Sequence, residues 1–144
     1  MALAACTDLG HTYSRYKPLS TEGWQRNDTV AIVMGPVRQG GHYAEQLGLR
    51  TNSHYPFMQI VLIVNQEARP SGMRRTDTLC VDITDDDGHV TGKGISHYQH
   101  LYPLPTVALN SGDTLRASIN HDMLRSPLKG ITEVGLTMTR NDKP

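Results

Sequence analysis

Cysteine is scarce in this 144-residue sequence, which carries two, Cys6 and Cys80. Two thiols cannot build the dense disulfide framework of a small secreted domain, nor by themselves supply a zinc site. Long apolar runs are missing too. The longest, Ile60 to Val64, covers five residues, whereas a membrane-spanning helix requires roughly 18 or more. Net charge is absent, since 14 Lys and Arg balance 14 Asp and Glu, so no long-range field gathers nucleic acid or acidic substrates. Repeats and low-complexity segments are also lacking, and the 38% apolar share is that of an ordinary folded domain. At this length one hydrophobic core, and so one domain, is expected.

What the sequence does contain is alternation. Leu79, Val81 and Ile83 alternate with Thr78, Cys80, Asp82 and Thr84. Leu115, Ala117 and Ile119 do so with polar neighbours, as do Val134, Leu136 and Met138. A period of two places one set of side chains on one face of a pleated strand, so each segment predicts a half-buried strand. Phe57 to Val64 is apolar on both faces and predicts a central strand. Val30 to Met34 predicts a shorter one, and Tyr43 to Leu49 a weaker one in which Glu45 shares the face of Tyr43, Leu47 and Leu49; a helical turn over Ala44 to Leu47 is the alternative.

Breakers mark the reversals at Gly35-Pro36, Gly40-Gly41, Asn52 to Pro56, Pro70 to Gly72, Asp87-Gly88, Ser111 to Asp113 and Ser126-Pro127. No stretch of about 12 residues keeps a capped 3.6-residue stripe, so little helix is expected. Strands at this spacing predict an all-β fold, a single antiparallel β-sandwich or jelly roll.

Candidate chemistry is thin. Asp82, Asp85, Asp86, Asp87 and Gly88 offer carboxylates for Ca²⁺, but an EF-hand loop beginning at Asp82 would end on Lys93 rather than Glu. A hairpin turn at Asp87-Gly88 explains the group better. His97 and His100 fall between Gly94 and Pro103, read as a loop, without the Glu of a zinc protease. No G-x-S-x-G is present, and Cys80 lies mid-strand as a packed small residue rather than a nucleophile. Gly88-x-x-x-Gly92-x-Gly94 lacks the Lys-Ser or Lys-Thr of a P-loop, and its glycines are expected to shape a bulged strand. Trp24, the single tryptophan, is expected to pack over a core edge, with a sugar-stacking platform as the alternative. No catalytic residue, metal site or cofactor is expected.

The opening Leu3-Ala4-Ala5-Cys6 looks like a lipobox, in which small residues let a signal peptidase close on extended backbone and the thiol takes a diacylglyceryl group. Residues 1–5 are then the end of a signal peptide, residues 6–12 a tether, and residues 13–144 the sandwich domain. Without lipidation, a Cys6–Cys80 disulfide is the remaining use for the two thiols.

Downstream, Tyr13 and Tyr16 are followed by Gly23-Trp24, Leu49-Arg50-Thr51 and Tyr55-Pro56-Phe57. Asp77-Thr78-Leu79, Asp85 to Gly88 and Gly92-x-Gly94 come next. His121 to Arg125, Leu128-Lys129-Gly130-Ile131 and Val134-Gly135-Leu136 close the series. This succession resembles the gliding-motility lipoprotein GldH family of Bacteroidetes over nearly the whole chain after Cys6. Leu124 between Met123 and Arg125, and His89 after the turn glycine, depart from the usual pattern.

The resemblance implies a non-enzymatic, lipid-anchored envelope protein on the outer membrane, facing the periplasm. It would act by protein–protein contact within gliding and associated secretion machinery, and meet the membrane through its lipid alone. The family residues are expected to be structural, with Arg50 and Arg125 paired to an acid such as Asp77 or Asp122. The rival reading is a periplasmic carbohydrate- or Ca²⁺-binding sandwich module using Trp24 or the Asp85 to Asp87 loop.

Overall fold

The computed structural model describes residues 12–85, 89, 90, 92, 94 and 97–141. Eight strands follow one another along the chain: β1 (Thr12–Pro18), β2 (Val30–Met34), β3 (Gly41–Asn52), β4 (Gln59–Arg69), β5 (Met73–Asp82), β6 (His97–Leu109), β7 (Thr114–His121) and β8 (Ile131–Asn141). They form two four-stranded sheets in the orders β1-β8-β3-β6 and β2-β7-β4-β5, and every pairing is antiparallel. Successive strands β1 to β4 thus cross between sheets in pairs that β5 to β8 retrace, which is the jelly-roll arrangement. No helix occurs among the described residues.

The expected alternation accounts for the packing. Ile60, Leu62 and Val64 of β4, Leu115, Ala117 and Ile119 of β7, and Val134, Leu136 and Met138 of β8 all point between the sheets and are buried. The β4 strand is an inner strand, as its apolar character predicts, although Val61 and Ile63 on its outer face are only half-buried. From Tyr43 to Leu49 the chain is strand, not helical turn, because the inward face Tyr43, Leu47 and Leu49 is needed by the core.

Three expectations need correction. His97 and His100 belong to strand β6 rather than a loop; His97 faces solvent and His100 the interior. Gly92 and Gly94 lie in the connection leading to β6, not in a bulged strand. There Gly92 packs over the His100 ring and Gly94 against the His97 carbonyl, leaving no room for a Cβ. Cys80 is exposed, because Leu79 and Val81 take the inward positions of β5. The tip of the acidic turn, including Gly88, lies outside the described residues. Its flanks nonetheless close as a hairpin, for Asp85 and His89 exchange a backbone hydrogen bond of 2.8 Å and Thr84 bridges Val90.

The two ends of the sandwich are built differently. The end where β1 begins is closed by the β2–β3 connection and the β4–β5 and β6–β7 turns. Asp113 knits these together, accepting the Ser71 N–H at 3.0 Å and the Asn110 N–H at 2.8 Å while its carbonyl takes the Val37 N–H at 2.9 Å. Burial alone would raise this carboxyl, but the backbone donors outweigh it and hold it below its ordinary value. The opposite end carries the longer β1–β2, β3–β4, β5–β6 and β7–β8 loops.

Candidate interaction surface

The longer loops are pinned from beneath. Trp24 is 1% exposed, exchanges two backbone hydrogen bonds of 2.9 Å with Leu128, and donates its indole N–H to the Asp28 carbonyl at 2.7 Å. His121 packs edge-on against the indole, donates from Nε2 to the Trp24 carbonyl at 2.8 Å and accepts the Met123 N–H on Nδ1 at 3.2 Å. Accepting on Nδ1 requires the neutral imidazole, and burial pushes the pKa down although the Trp24 carbonyl pulls the other way. A buried Trp24 has no face to offer a sugar ring, which removes the stacking platform of the rival reading.

Glycine makes the next joint. Gly130 sits at φ +92 with its Cα against the Tyr55 backbone, so that any side chain would collide there. Its carbonyl takes the Asn52 N–H at 2.9 Å, and Ile131 then enters the core as the first residue of β8. Tyr55 donates its hydroxyl to the Gln59 carbonyl at 2.7 Å and meets Phe57 edge-on. Burial raises the Tyr55 and Tyr102 phenols well above their ordinary value, so both stay protonated donors.

What these joints leave outside is a short apolar and cationic crest. Leu124 is 95% exposed. Arg125 beside it stacks its guanidinium 5.7 Å from the Phe57 ring centroid. A shallow depression of about 560 Å³ runs between Pro56, His54 and this loop, and a second of about 340 Å³ continues from His54 and Lys129 to Leu19 and Ile131. Among the described residues no carboxylate lines either depression.

A second cluster lies on the outer face of the β1-β8-β3-β6 sheet. Gly48 and Gly135 are direct partners across β3 and β8, and the Tyr16 ring lies flat over both, filling the space two side chains would take. Gln99 donates to the Tyr16 hydroxyl at 3.0 Å. Arg50 covers the ring from above at 5.2 Å and donates to Glu133 at 2.8 Å and Gln99 at 3.0 Å. Gly135 and Arg50 therefore serve to fasten the edge strand β1.

The expected pairing of Arg50 and Arg125 with Asp77 or Asp122 does not form. Arg50 is on the outer face of one sheet while Asp77 faces inward from the other, where it accepts Arg75 Nε at 2.8 Å. Asp122 accepts from Arg26 at 2.6 Å, and Arg125 prefers the Phe57 ring.

Sequence reasoning missed the polar bridge between the sheets. Glu45 of β3 is fully enclosed and accepts Gln66 Nε2 at 2.9 Å and Arg75 Nη2 at 2.6 Å. Arg75 reaches on to the Thr106 carbonyl at 3.1 Å, tying β5 to β6. Burial raises the Glu45 carboxyl despite these donors. Glu45 on the face of Tyr43 and Leu47 was the available signal; its partners, on two other strands, had none.

The order of these features along the chain agrees with one family. The family model for GldH lipoprotein matches residues 11–138. The chain belongs to the GldH lipoprotein family. A curated relative, the gliding motility lipoprotein GldH of Flavobacterium johnsoniae, is 26% identical over 144 residues, covering 94% of this chain and 88% of its own. Solved structures match this GldH-family chain at low similarity. Eiger TNF of S. frugiperda has 10% identity and a TM-score of 0.36 over 93% of this chain and 96% of its own. Murine APRIL has 14% identity and a TM-score of 0.40 over 88% and 97%. Likeness at that level carries no functional argument. Cys6 lies outside the described residues.

Proposed function

We propose that this GldH-family protein is a non-enzymatic lipoprotein of the cell envelope, an accessory part of gliding motility and its associated secretion machinery. It is held to the periplasmic face of the outer membrane by lipid on Cys6 and acts through protein–protein contact. The family match over residues 11–138 carries this reading. Two features support it. The lipobox stands just before β1, so the tether leads into the domain at one end. The histidines with perturbed pKa are consumed structurally, His121 by Trp24 and Met123 and His100 by Thr51 at 3.0 Å.

The direct test is mass spectrometry of the N-terminal peptide from protein isolated out of its native host. A mature chain beginning at Cys6 and carrying acyl groups is expected, with Cys6→Ser shifting the protein from the membrane to the soluble fraction. A free Cys6 thiol inside a longer mature chain would reject the anchor.

A further inference from the structure

We infer that the crest around Leu124 is the docking surface, and that its occupant is a protein presenting an apolar socket rimmed by carboxylates. This deepens the protein-contact reading of the preceding section and rests on it. The first ground is the display of Leu124 itself. At 95% exposure Leu124 is the most exposed large apolar side chain among the described residues, and the loop that carries it is pinned from beneath. Leu128 is buried against Trp24, the Arg26 N–H is held by Ser126 Oγ at 2.9 Å, and Met123 Sδ accepts the Val61 N–H at 3.4 Å. The side chain is therefore presented by a loop whose ordering has already been completed in the free protein, which is how a binding anchor keeps the entropy cost of association low.

The second ground is charge. Arg125 and Lys129 flank Leu124, and among the described residues neither forms an ion pair and no acid lines the adjoining depressions. The complementary surface is acidic, and matching potentials set both the encounter rate and the register of docking.

The third ground separates a protein from the membrane, which an exposed leucine among cations would also suit. β1 starts at the other end of the sandwich, and β8 runs the length between the ends, about 30 Å at a strand's rise per residue. The chain from Cys6 to Thr12 reaches about 20 Å when fully extended. Turning the crest head-on to the leaflet that holds the lipid would lift the start of β1 beyond that reach. A crest that cannot meet that leaflet head-on is left facing away from it or along it, where a protein can reach it.

The test places a photo-crosslinking residue at His54, on the crest, and separately at Ser118, on the outer face of β7, in full-length acylated protein in native cells. Adducts from position 54 to an envelope protein, mapping to an Asp- and Glu-rich peptide, are expected. Leu124→Asp, and Arg125→Glu with Lys129→Glu, should each cut that adduct about tenfold, with the melting temperature unchanged for Leu124→Asp, whose side chain touches none of the joints beneath. Protein adducts from position 118 alone would overturn the docking surface and leave the protein-contact function standing. Adducts from neither position would overturn both. Adducts from position 54 to lipid or to a second copy of this chain, or an adduct indifferent to all three substitutions, would overturn the proposed occupant.

Discussion

Glu45 is the residue at which the interior is most exposed to perturbation. A carboxyl with no solvent contact is held by one amide and one guanidinium, and its Oε2, like Gln66 Oε1, has no hydrogen-bond partner among the described residues. Removing it leaves the Gln66 amide without its acceptor and takes one of the two carboxylates that Arg75 holds, so Glu45→Ala should cost about 1 to 3 kcal/mol in chemical denaturation, the loss typical of a buried polar group left unsatisfied. Glu45→Gln is different in kind. A second amide can exchange two hydrogen bonds with Gln66 while Arg75 keeps Asp77, so a change under about 1.5 kcal/mol is expected at pH 7. The sign with pH follows from the raised pKa. The folded protein binds this proton more tightly than the unfolded chain, so the Glu45 contribution improves as pH falls through its folded value toward the ordinary glutamate value and is worst above both. Wild type should therefore gain stability relative to Glu45→Gln as the pH is lowered toward the ordinary glutamate value, since the amide binds no proton there. A difference that does not change with pH would show the carboxyl to be as well solvated as a free one.

At the scale of elements, legibility tracked how strictly each strand alternates. Leu79 and Val81 of β5 and Leu115, Ala117 and Ile119 of β7 alternate strictly with outward residues, and the faces of those stretches were readable from spacing alone. Strand β6 was not. Its inward residues run His100, Tyr102, Leu104, then Val107 and Leu109, because the register shifts opposite Tyr43 and Glu45 and the bulge moves the phase by one. Pro103 and Pro105 also argue against a strand, yet β6 is a sheet edge, where a missing N–H costs little. Strand β1 offered no alternation either, since its binding depends on Tyr16 lying over Gly48 and Gly135, a contact spread over three strands. Of the interaction surface, Tyr55, Arg125 and Gly130 were visible as motif residues, but not the pinning that leaves Leu124 outside. The β1 attachment can be checked directly. Tyr16→Ala uncovers two facing glycines and removes a half-buried ring, and should destabilise the domain by about 1 to 3 kcal/mol. Amides of β1 and the outer half of β8 should exchange faster while those of β4 keep their protection. Gly135→Val, which evicts the ring while keeping the tyrosine, should give the same exchange pattern. Uniform loss across both sheets would mean that Tyr16 acts on the whole core rather than on its edge.

For the whole molecule, the consequence of jelly-roll winding is polarity along the strands. An even number of antiparallel crossings returns β8 beside β1, so both termini of the domain lie at one end, while the loops bearing Trp24, Tyr55 and Arg125 gather at the other. A lipid on Cys6 would convert that internal asymmetry into an orientation in space, with the Asp113 turns nearer the bilayer and the Leu124 crest farther from it by about the length of a strand. Acylated protein reconstituted into vesicles with a spin-labelled headgroup can measure this. A fluorophore attached through a cysteine introduced at Ser111, in the β6–β7 turn, should be quenched strongly, and one at Ser126, in the β7–β8 loop, weakly, with Cys80 replaced by serine so that labelling is confined to the chosen site. Because quenching by contact or short-range dipolar coupling falls off well within 30 Å, the two positions should differ severalfold. Salt should leave the difference intact, since a chain with balanced charge has no field to pull its flank onto the lipid. Equal quenching at both ends would mean that the domain lies along the membrane, and the crest would then have to find its partner laterally instead of across the periplasm.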